Sequence, residues 1–138
     1  MTMRRHRLLR LAAVAVLATV VGACEPPIHI RLASTGEQLP SPEFVVSEPS
    51  QPAAEPRYSY VSVRDLDGTR MWALRKLPPN FKMSPARLSY GVPPDGFEEL
   101  EPPQPLVPGR TYSIAVSGEG RGGLHFHIGD DGTIREAR

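Results

Sequence analysis

The sequence predicts a small all-β protein, an antiparallel β-sandwich, and three observations lead to this fold class. The 138 residues include 16 prolines and 12 glycines, and every proline follows residue 25. Proline removes a backbone donor and clashes with the preceding helical turn, so this composition disfavours long helices. Short apolar segments alternate with period two between turn signals, which is typical of antiparallel strands.

Seven short segments are predicted to be strands, each bounded by proline, glycine or aspartate. The clearest pair flanks Asp65-Leu66-Asp67-Gly68 and predicts a hairpin, because glycine supplies the positive φ of a tight turn. A second turn is predicted at Asp130-Asp131-Gly132. The predicted strands are 44–46, 58–64, 71–76, 87–90, 111–117, 123–129 and 133–136.

The alternation within these strands assigns one face of each strand to a core. Burying apolar side chains at about 1.5 to 3 kcal/mol each offsets the conformational entropy that a small domain loses on folding. The predicted core residues are Val61, Val63, Trp72, Leu74, Leu88, Tyr90, Tyr112, Ile114, Val116, Leu124, Phe126, Ile128 and Ile134.

The first 23 residues have the pattern of a cleavable signal segment. Four arginines lie in the first ten residues, and the apolar stretch 8–23 follows them. That stretch has about 16 residues, fewer than the roughly 20 that cross a bilayer as a helix, and Glu25-Pro26-Pro27 ends it. An uncleaved membrane span is the alternative.

The four residues Val21-Gly22-Ala23-Cys24 resemble the bacterial lipobox, which marks the point of cleavage and lipidation. The resemblance implies that Cys24 carries diacylglycerol on its sulfur and an acyl chain on the new N-terminus. Cys24 is the only cysteine in the chain, so it has no partner for an internal disulfide. Two or three acyl chains give a stable anchor. A chance cysteine beside an ordinary secretory signal is the alternative.

The chain after the signal segment is predicted to have two parts. Residues 24–41 are rich in proline and are expected to form an extended tether, with a possible strand at 28–32. The β-sandwich domain is then expected to occupy 42–138, with its boundary near Pro42.

The charge of the exported part gives no support to nucleic-acid binding. Four of the 16 basic residues lie in the signal segment, which leaves 12 against 15 acidic residues, a net charge of −3. Binding to phosphates normally requires a clustered basic face.

One stretch is similar to a motif of fibronectin type III domains. Leu106, Pro108 and Tyr112 match the Leu-x-Pro-Gly-x-x-Tyr pattern that forms the tyrosine corner there. The resemblance implies an immunoglobulin-like sandwich in which the hydroxyl group of Tyr112 hydrogen-bonds to the chain a few residues upstream. It covers about residues 70–117, with Trp72 and 88–91 in the places of the tryptophan and tyrosine strands. Only 14 residues separate Gly91 from Leu106, so a shortened sandwich is expected.

The same order of elements also resembles small lipoproteins of Gram-negative bacteria that have no assigned activity. This resemblance implies an envelope location and supplies no chemistry, because a sandwich fold serves many unrelated functions.

His125 and His127 are the candidate metal ligands. They flank Phe126 in a predicted strand, so both imidazoles project from the face opposite the core, about 7 Å apart at the backbone. Zinc or copper requires further ligands, and His29, Asp130 and Glu136 are the available residues. Two solvent-exposed histidines without metal are the favoured interpretation.

Two tyrosines form the second candidate site. Tyr58 and Tyr60 are expected on the face opposite Val61 and Val63, where an aromatic platform would bind a sugar or a peptide. Packing against the tether or cross-strand pairing is the favoured alternative.

Enzymatic chemistry has little support. The chain has no Gly-x-Ser-x-Gly turn, and its single cysteine is assigned to lipid. Glu98, Glu99 and Glu101 are expected in a solvated, proline-flanked loop. The glycine-rich segment 118–123 precedes a strand rather than a helix, so it is expected to be a flexible hairpin loop and not a phosphate cradle. We therefore expect no enzymatic activity and no cofactor.

The sequence thus predicts a membrane-anchored periplasmic lipoprotein that acts as a non-catalytic interaction or envelope-structural module. Its expected partners are the lipid bilayer, through acylated Cys24, and an unidentified envelope protein or glycan. Because Glu25 rather than aspartate follows Cys24, the outer membrane is the expected location. The alternative is a ligand-binding lipoprotein that uses the histidines or the surface tyrosines.

Overall fold

The computed structural model describes residues 25–79 and 84–137. The predicted signal segment 1–23 and Cys24 lie outside the described residues. Within those ranges, no helix has the length and apolar character needed to cross a bilayer. The described residues form nine strands: β1 (His29–Leu32), β2 (Glu43–Ser47), β3 (Tyr58–Asp65), β4 (Arg70–Lys76), β5 (Arg87–Ser89), β6 (Phe97–Glu101), β7 (Thr111–Gly118), β8 (Arg121–Ile128) and β9 (Ile134–Glu136).

The strands form two antiparallel sheets. One has the order β1-β2-β5, and the other has the order β6-β4-β3-β7-β8-β9. The apolar faces of the two sheets pack against each other, and strands such as β2 and β7 alternate buried side chains on this face with more exposed ones on the other. The prediction of a small all-β sandwich is confirmed.

The core between the sheets is aromatic at its centre. Trp72 packs edge-on against Tyr90 across the sandwich, with ring centroids 5.3 Å apart. Phe44 and Phe126 make a similar contact, also at 5.3 Å. All the predicted core residues are buried except Leu124, which is partly buried and packs against the same cluster.

The N-terminal strand β1 lies at the edge of the smaller sheet. β1 pairs antiparallel with β2, and Ile28, Ile30 and Leu32 are buried in the core. Period-two alternation gives this segment an apolar face, and the prolines around it stay outside the ladder. The described part of the predicted tether, 25–41, therefore contains a paired strand where a possible strand was expected at 28–32.

Strand β6 was not predicted. It pairs with β4 at the edge of the larger sheet, and it contains the three glutamates that were expected in a loop. The indole Nε1 of Trp72 donates to Glu99 Oε2 at 2.9 Å, and Arg75 forms an ion pair with Glu98. The low β propensity of glutamate concealed this strand, which is stabilised by partners from β4.

Strand β9, at the other edge of the larger sheet, is covered by the chain that follows β1. The amide of Ile134 donates to the carbonyl of Glu37 at 2.8 Å, and the amide of Leu39 donates to the carbonyl of Gly132 at 3.1 Å. Such covering removes a free edge that would otherwise pair with other chains.

Candidate functional site

The predicted tyrosine corner lies where the chain enters β7. The hydroxyl oxygen of Tyr112 accepts a hydrogen bond from the Val107 amide at 2.9 Å, which is the kind of upstream contact that the resemblance implied. Tyr112 and Leu106 are buried, whereas Pro108 is exposed in the turn before Gly109. The corner holds the connection from β6 to β7, so its role is structural.

Tyr58 is not a surface residue, which corrects the prediction of a tyrosine pair. A β-bulge between Tyr58 and Tyr60 changes the alternation, so Tyr58 points into the core and is fully buried. Its hydroxyl group donates to the carbonyl of Pro85 at 2.7 Å. Burial raises the pKa of this phenol. Sequence spacing alone assumes an unbroken strand, and a bulge violates that assumption.

Tyr60 remains on the outer face of the larger sheet, where it is partly exposed. It lines two shallow concavities. One of about 500 Å³ is bounded by Arg75 and Pro78, and one of about 270 Å³ has Ser62 and Ala115 in its floor. Among the aromatic side chains that the structure describes, Tyr60 alone is not buried, so it is the one best placed to contact a ligand.

Cationic side chains border this outer-face groove. Arg75 bounds one concavity and forms an ion pair with Glu98, and Arg121 bounds the other and lies 3.5 Å from Glu25. A phenol flanked by guanidinium groups is suited to hydroxylated or carboxylated ligands, such as sugars and peptides.

The two histidines lie on the outer face of β8, with His125 exposed and His127 partly buried. The Nδ1 atom of His127 is 2.8 Å from the hydroxyl oxygen of Thr111. His127 is also in register with Arg135 on β9, which places a cation beside it on the same face. Such a neighbour opposes the binding of a metal cation.

The proposed additional ligands do not join the histidines. Glu136 is in register with Phe126, so it lies on the opposite face of the sheet, where its carboxylate accepts the Leu32 amide at 3.1 Å. His29 lies on β1 in the other sheet. Across residues 25–79 and 84–137, no three potential His, Cys, Asp or Glu ligands form a metal-binding group.

A buried polar cluster was missed by sequence reasoning. Lys76 is 6% exposed, its Nζ donates to Ser84 Oγ at 3.2 Å, and the ammonium lies 5.8 Å from the centre of the Phe97 ring. Ser84 in turn donates to the carbonyl of Tyr58. Lys76 and Trp72 are four residues apart on β4, so the period-two pattern places both on the same, buried face. That pattern was the sequence signal by which Lys76 could have been found. The hydroxyl group and the aromatic face satisfy a charge that burial would otherwise penalise.

A second missed cluster centres on Glu48. Its side chain is fully buried and accepts hydrogen bonds from the Arg57 amide and guanidinium, the shortest at 2.6 Å. The guanidinium of Arg57 lowers the pKa of Glu48. Arg57 also reaches Glu119 at 2.8 Å, which ties the β2–β3 connection to the β7–β8 turn. Glu48 lies between the predicted strands 44–46 and 58–64, so no strand pattern singled it out.

The glycine-rich segment 118–123 lies mostly in strands: Gly118 ends β7, 121–123 begin β8, and only 119–120 form the turn of the hairpin, where a longer loop was expected. A Cβ atom on Gly118 would lie 2.8 Å from the carbonyl oxygen of Arg57, and one on Gly122 would lie 1.9 Å from that of Ile28. These glycines allow two other segments to approach the hairpin closely.

Comparisons with protein-family models, with curated proteins and with solved structures found no match for this chain.

Proposed function

We propose that the protein is a lipid-anchored component of the bacterial envelope, acylated at Cys24. The observation that carries this proposal is Val21-Gly22-Ala23-Cys24 at the end of a basic and then apolar segment.

The sandwich itself is proposed to act in the periplasm as a non-catalytic interaction or envelope-structural module, with the outer membrane as its location. Its fold is proposed to be immunoglobulin-like. The Tyr112 hydrogen bond and the three-stranded sheet β1-β2-β5 packed on a larger sheet support this subtype. The described polar clusters, at Glu48 and Lys76, link separate connections of the fold and so have structural roles.

Replacement of the cysteine tests the anchor. In a Gram-negative host, Cys24→Ala should leave an unprocessed precursor or move the protein to the soluble fraction, and mass spectrometry should show no acyl chains. Thr19→Ala is the matched control within the signal segment, and it should be processed and acylated as before. A Cys24→Ala protein that still carries acyl chains would overturn the proposal.

Glycan or peptide binding at Tyr60 is the second candidate function. It is favoured by the position of the ring between two concavities and beside Arg75 and Arg121. NMR titration with peptidoglycan fragments should shift the amides of β3 and β7, and Tyr60→Ala should abolish those shifts. The buried-tyrosine variant Tyr58→Phe is the control and should bind normally. Unchanged spectra would exclude such a ligand.

A metal role for His125 and His127 is a weaker candidate, because no third His, Cys, Asp or Glu ligand joins them among the described residues and Arg135 places a cation beside His127. Titration with copper or zinc tests it, and binding weaker than about micromolar would exclude it.

A further inference from the structure

The first described residues are hydrogen-bonded directly to strand β8 of the sandwich. The Arg121 amide donates to the carbonyl of Pro26 at 3.3 Å, and the Ile28 amide donates to the carbonyl of Arg121 at 2.9 Å. Pro27 and Arg121 thus form a short parallel bridge to β8, and Ile28 is 3% exposed. The carboxylate of Glu25 lies 3.5 Å from the Arg121 guanidinium. Ordered backbone contacts therefore begin at the second residue after Cys24.

Glycine makes this attachment possible. A Cβ atom on Gly120 would lie 2.8 Å from the carbonyl oxygen of Pro26, and one on Gly122 would lie 1.9 Å from that of Ile28. Any other residue at Gly122 would therefore displace the N-terminal segment. The glycines of the hairpin provide the surface on which the segment lies.

The same end of the sandwich contains two other connections. We call it the N-terminal end, and it consists of 25–28, the β2–β3 connection 48–57 and the β7–β8 turn at 118–121. Arg57 links the last two through Glu48 and Glu119. The opposite end, about eight strand residues or roughly 25 Å away, consists of the turns at 65–69, 107–110 and 129–132.

We infer that the N-terminal end of the sandwich lies against the lipid headgroups of the membrane that holds the anchor, with the opposite end directed away from it. This inference rests on the proposed acylation of Cys24. One residue separates Cys24 from Pro26, and a chain spans at most about 3.3 to 3.6 Å per residue, so the acylated sulfur is held within about 10 Å of the hairpin.

The charges of this end indicate how the contact is made. Its exposed acidic residues, Glu25, Glu55 and Glu119, outnumber Arg57 and Arg121. Attraction to anionic lipid requires a basic cluster, which this set of residues lacks. The short attachment to the anchor therefore holds the N-terminal end against the headgroups. The orientation of the sandwich should be insensitive to the fraction of anionic lipid and to salt.

Site-directed fluorescence on the acylated full chain tests the orientation. Acylation blocks the thiol of Cys24, so an introduced cysteine is the only site for a thiol-reactive fluorophore. Ala53→Cys labels the N-terminal end, and Leu66→Cys is the matched exposed position at the opposite end. The proteins are reconstituted into phosphatidylethanolamine–phosphatidylglycerol vesicles that contain lipids with a headgroup quencher. We expect quenching at position 53 to be several-fold stronger than at position 66, both in low and in high salt.

A spacer variant separates attachment from any intrinsic affinity for lipid. Insertion of about 20 glycine and serine residues between Cys24 and Glu25 adds a mean span of roughly 25 Å, and should reduce quenching at position 53 to the level at position 66. Equal quenching at both positions in the acylated protein without the spacer would overturn the orientation and leave the anchor intact. Absence of acyl chains by mass spectrometry would overturn the anchor, and the orientation with it.

Discussion

The two ends of the sandwich are built in different ways. At the N-terminal end, the contacts join residues far apart in sequence: Arg57 binds Glu119, 62 positions away, and Ile28 bonds to Arg121. At the opposite end, Asp67 accepts the Thr69 amide and Asp131 accepts the Thr133 amide, each within two residues. The opposite end also contains the ion pair of Arg110 with Asp65, 45 positions apart. It thus combines locally stabilised turns with a long-range contact, whereas the N-terminal end is held by contacts between distant segments.

This difference predicts where the molecule is sensitive to substitution. Residues at the N-terminal end hold separate segments together, so their replacement disturbs several elements at once. The opposite end exposes two large apolar side chains, Leu66 at 66% and Val107 at 45%. Urea unfolding followed by the fluorescence of Trp72, the only tryptophan and a buried one, measures each effect below.

The largest effect is expected at Gly122. In Gly122→Ala the new Cβ atom displaces Ile28, and the combined overpacking and lost burial should lower the free energy of unfolding by about 3 kcal/mol. Gly36→Ala is the control, because no atom lies within 4 Å of its added Cβ atom, and stability should change by less than about 0.5 kcal/mol. Equal effects of the two substitutions would contradict the close attachment.

Glu48→Gln should lower the free energy of unfolding by about 2 kcal/mol at pH 7, because it removes a buried charged partner of Arg57. The folded-state pKa of Glu48 is lowered from its ordinary value of 4.5. Its stabilisation is therefore present above that value and is lost as the pH falls through the folded-state pKa. The difference between wild type and variant should accordingly shrink below about pH 4.5.

The control for this pair is Glu43→Gln, which removes the exposed partner of Arg87. Exposed ion pairs contribute little, so the change should be below about 0.5 kcal/mol. A gap between Glu48→Gln and wild type that does not depend on pH would show that the carboxylate charge is not what stabilises this end.

Tyr112→Phe tests the opposite end through the hydrogen bond of the tyrosine corner, which joins residues five positions apart. Loss of the hydroxyl group leaves the Val107 amide without this acceptor, and should cost about 1 kcal/mol. Tyr60→Phe, on the outer face, should be nearly neutral. If Tyr112→Phe were also neutral, the tyrosine corner would not contribute to the stability of this connection.

The smallest effect is expected for Leu66→Ser in the β3–β4 turn. The side chain is already largely in water, so the free energy of unfolding should change by less than about 0.5 kcal/mol. Ile28→Ser makes a similar change at the N-terminal end, where the side chain is 3% exposed, and should cost about 2 kcal/mol. Similar losses at both positions would remove the distinction between the two ends.

Most of the fold could be predicted because the information is local. The hairpin of β3 and β4 was predicted from alternation and from Gly68, whose φ is +91°. The buried face of β7 followed from the period-two positions of Tyr112, Ile114 and Val116. Strand β6 was not predicted, because an edge strand rich in glutamate is stabilised by cross-strand partners that the sequence does not identify.

The candidate sites were predicted less well, because a site depends on which elements meet. The bulge at Tyr58 moved one of the two surface tyrosines into the core, while Tyr60 remained exposed. His125 and His127 lie on the expected outer face, yet Glu136 and His29 lie elsewhere. Residue types can suggest a ligand set, and only the register of the strands decides whether its members share a face.

By itself the sequence determined the all-β class, most strands, the core residues and the lipobox-like segment, because periodicity, turn residues and a contiguous motif are properties of neighbouring residues. Tertiary structure alone decided that residues 25–32 join the sandwich, that glycines at 118, 120 and 122 accommodate other segments, and that Glu48 is buried against Arg57. These features arise from contacts between segments that are distant in sequence, and a local sequence pattern does not identify which segments will be in contact.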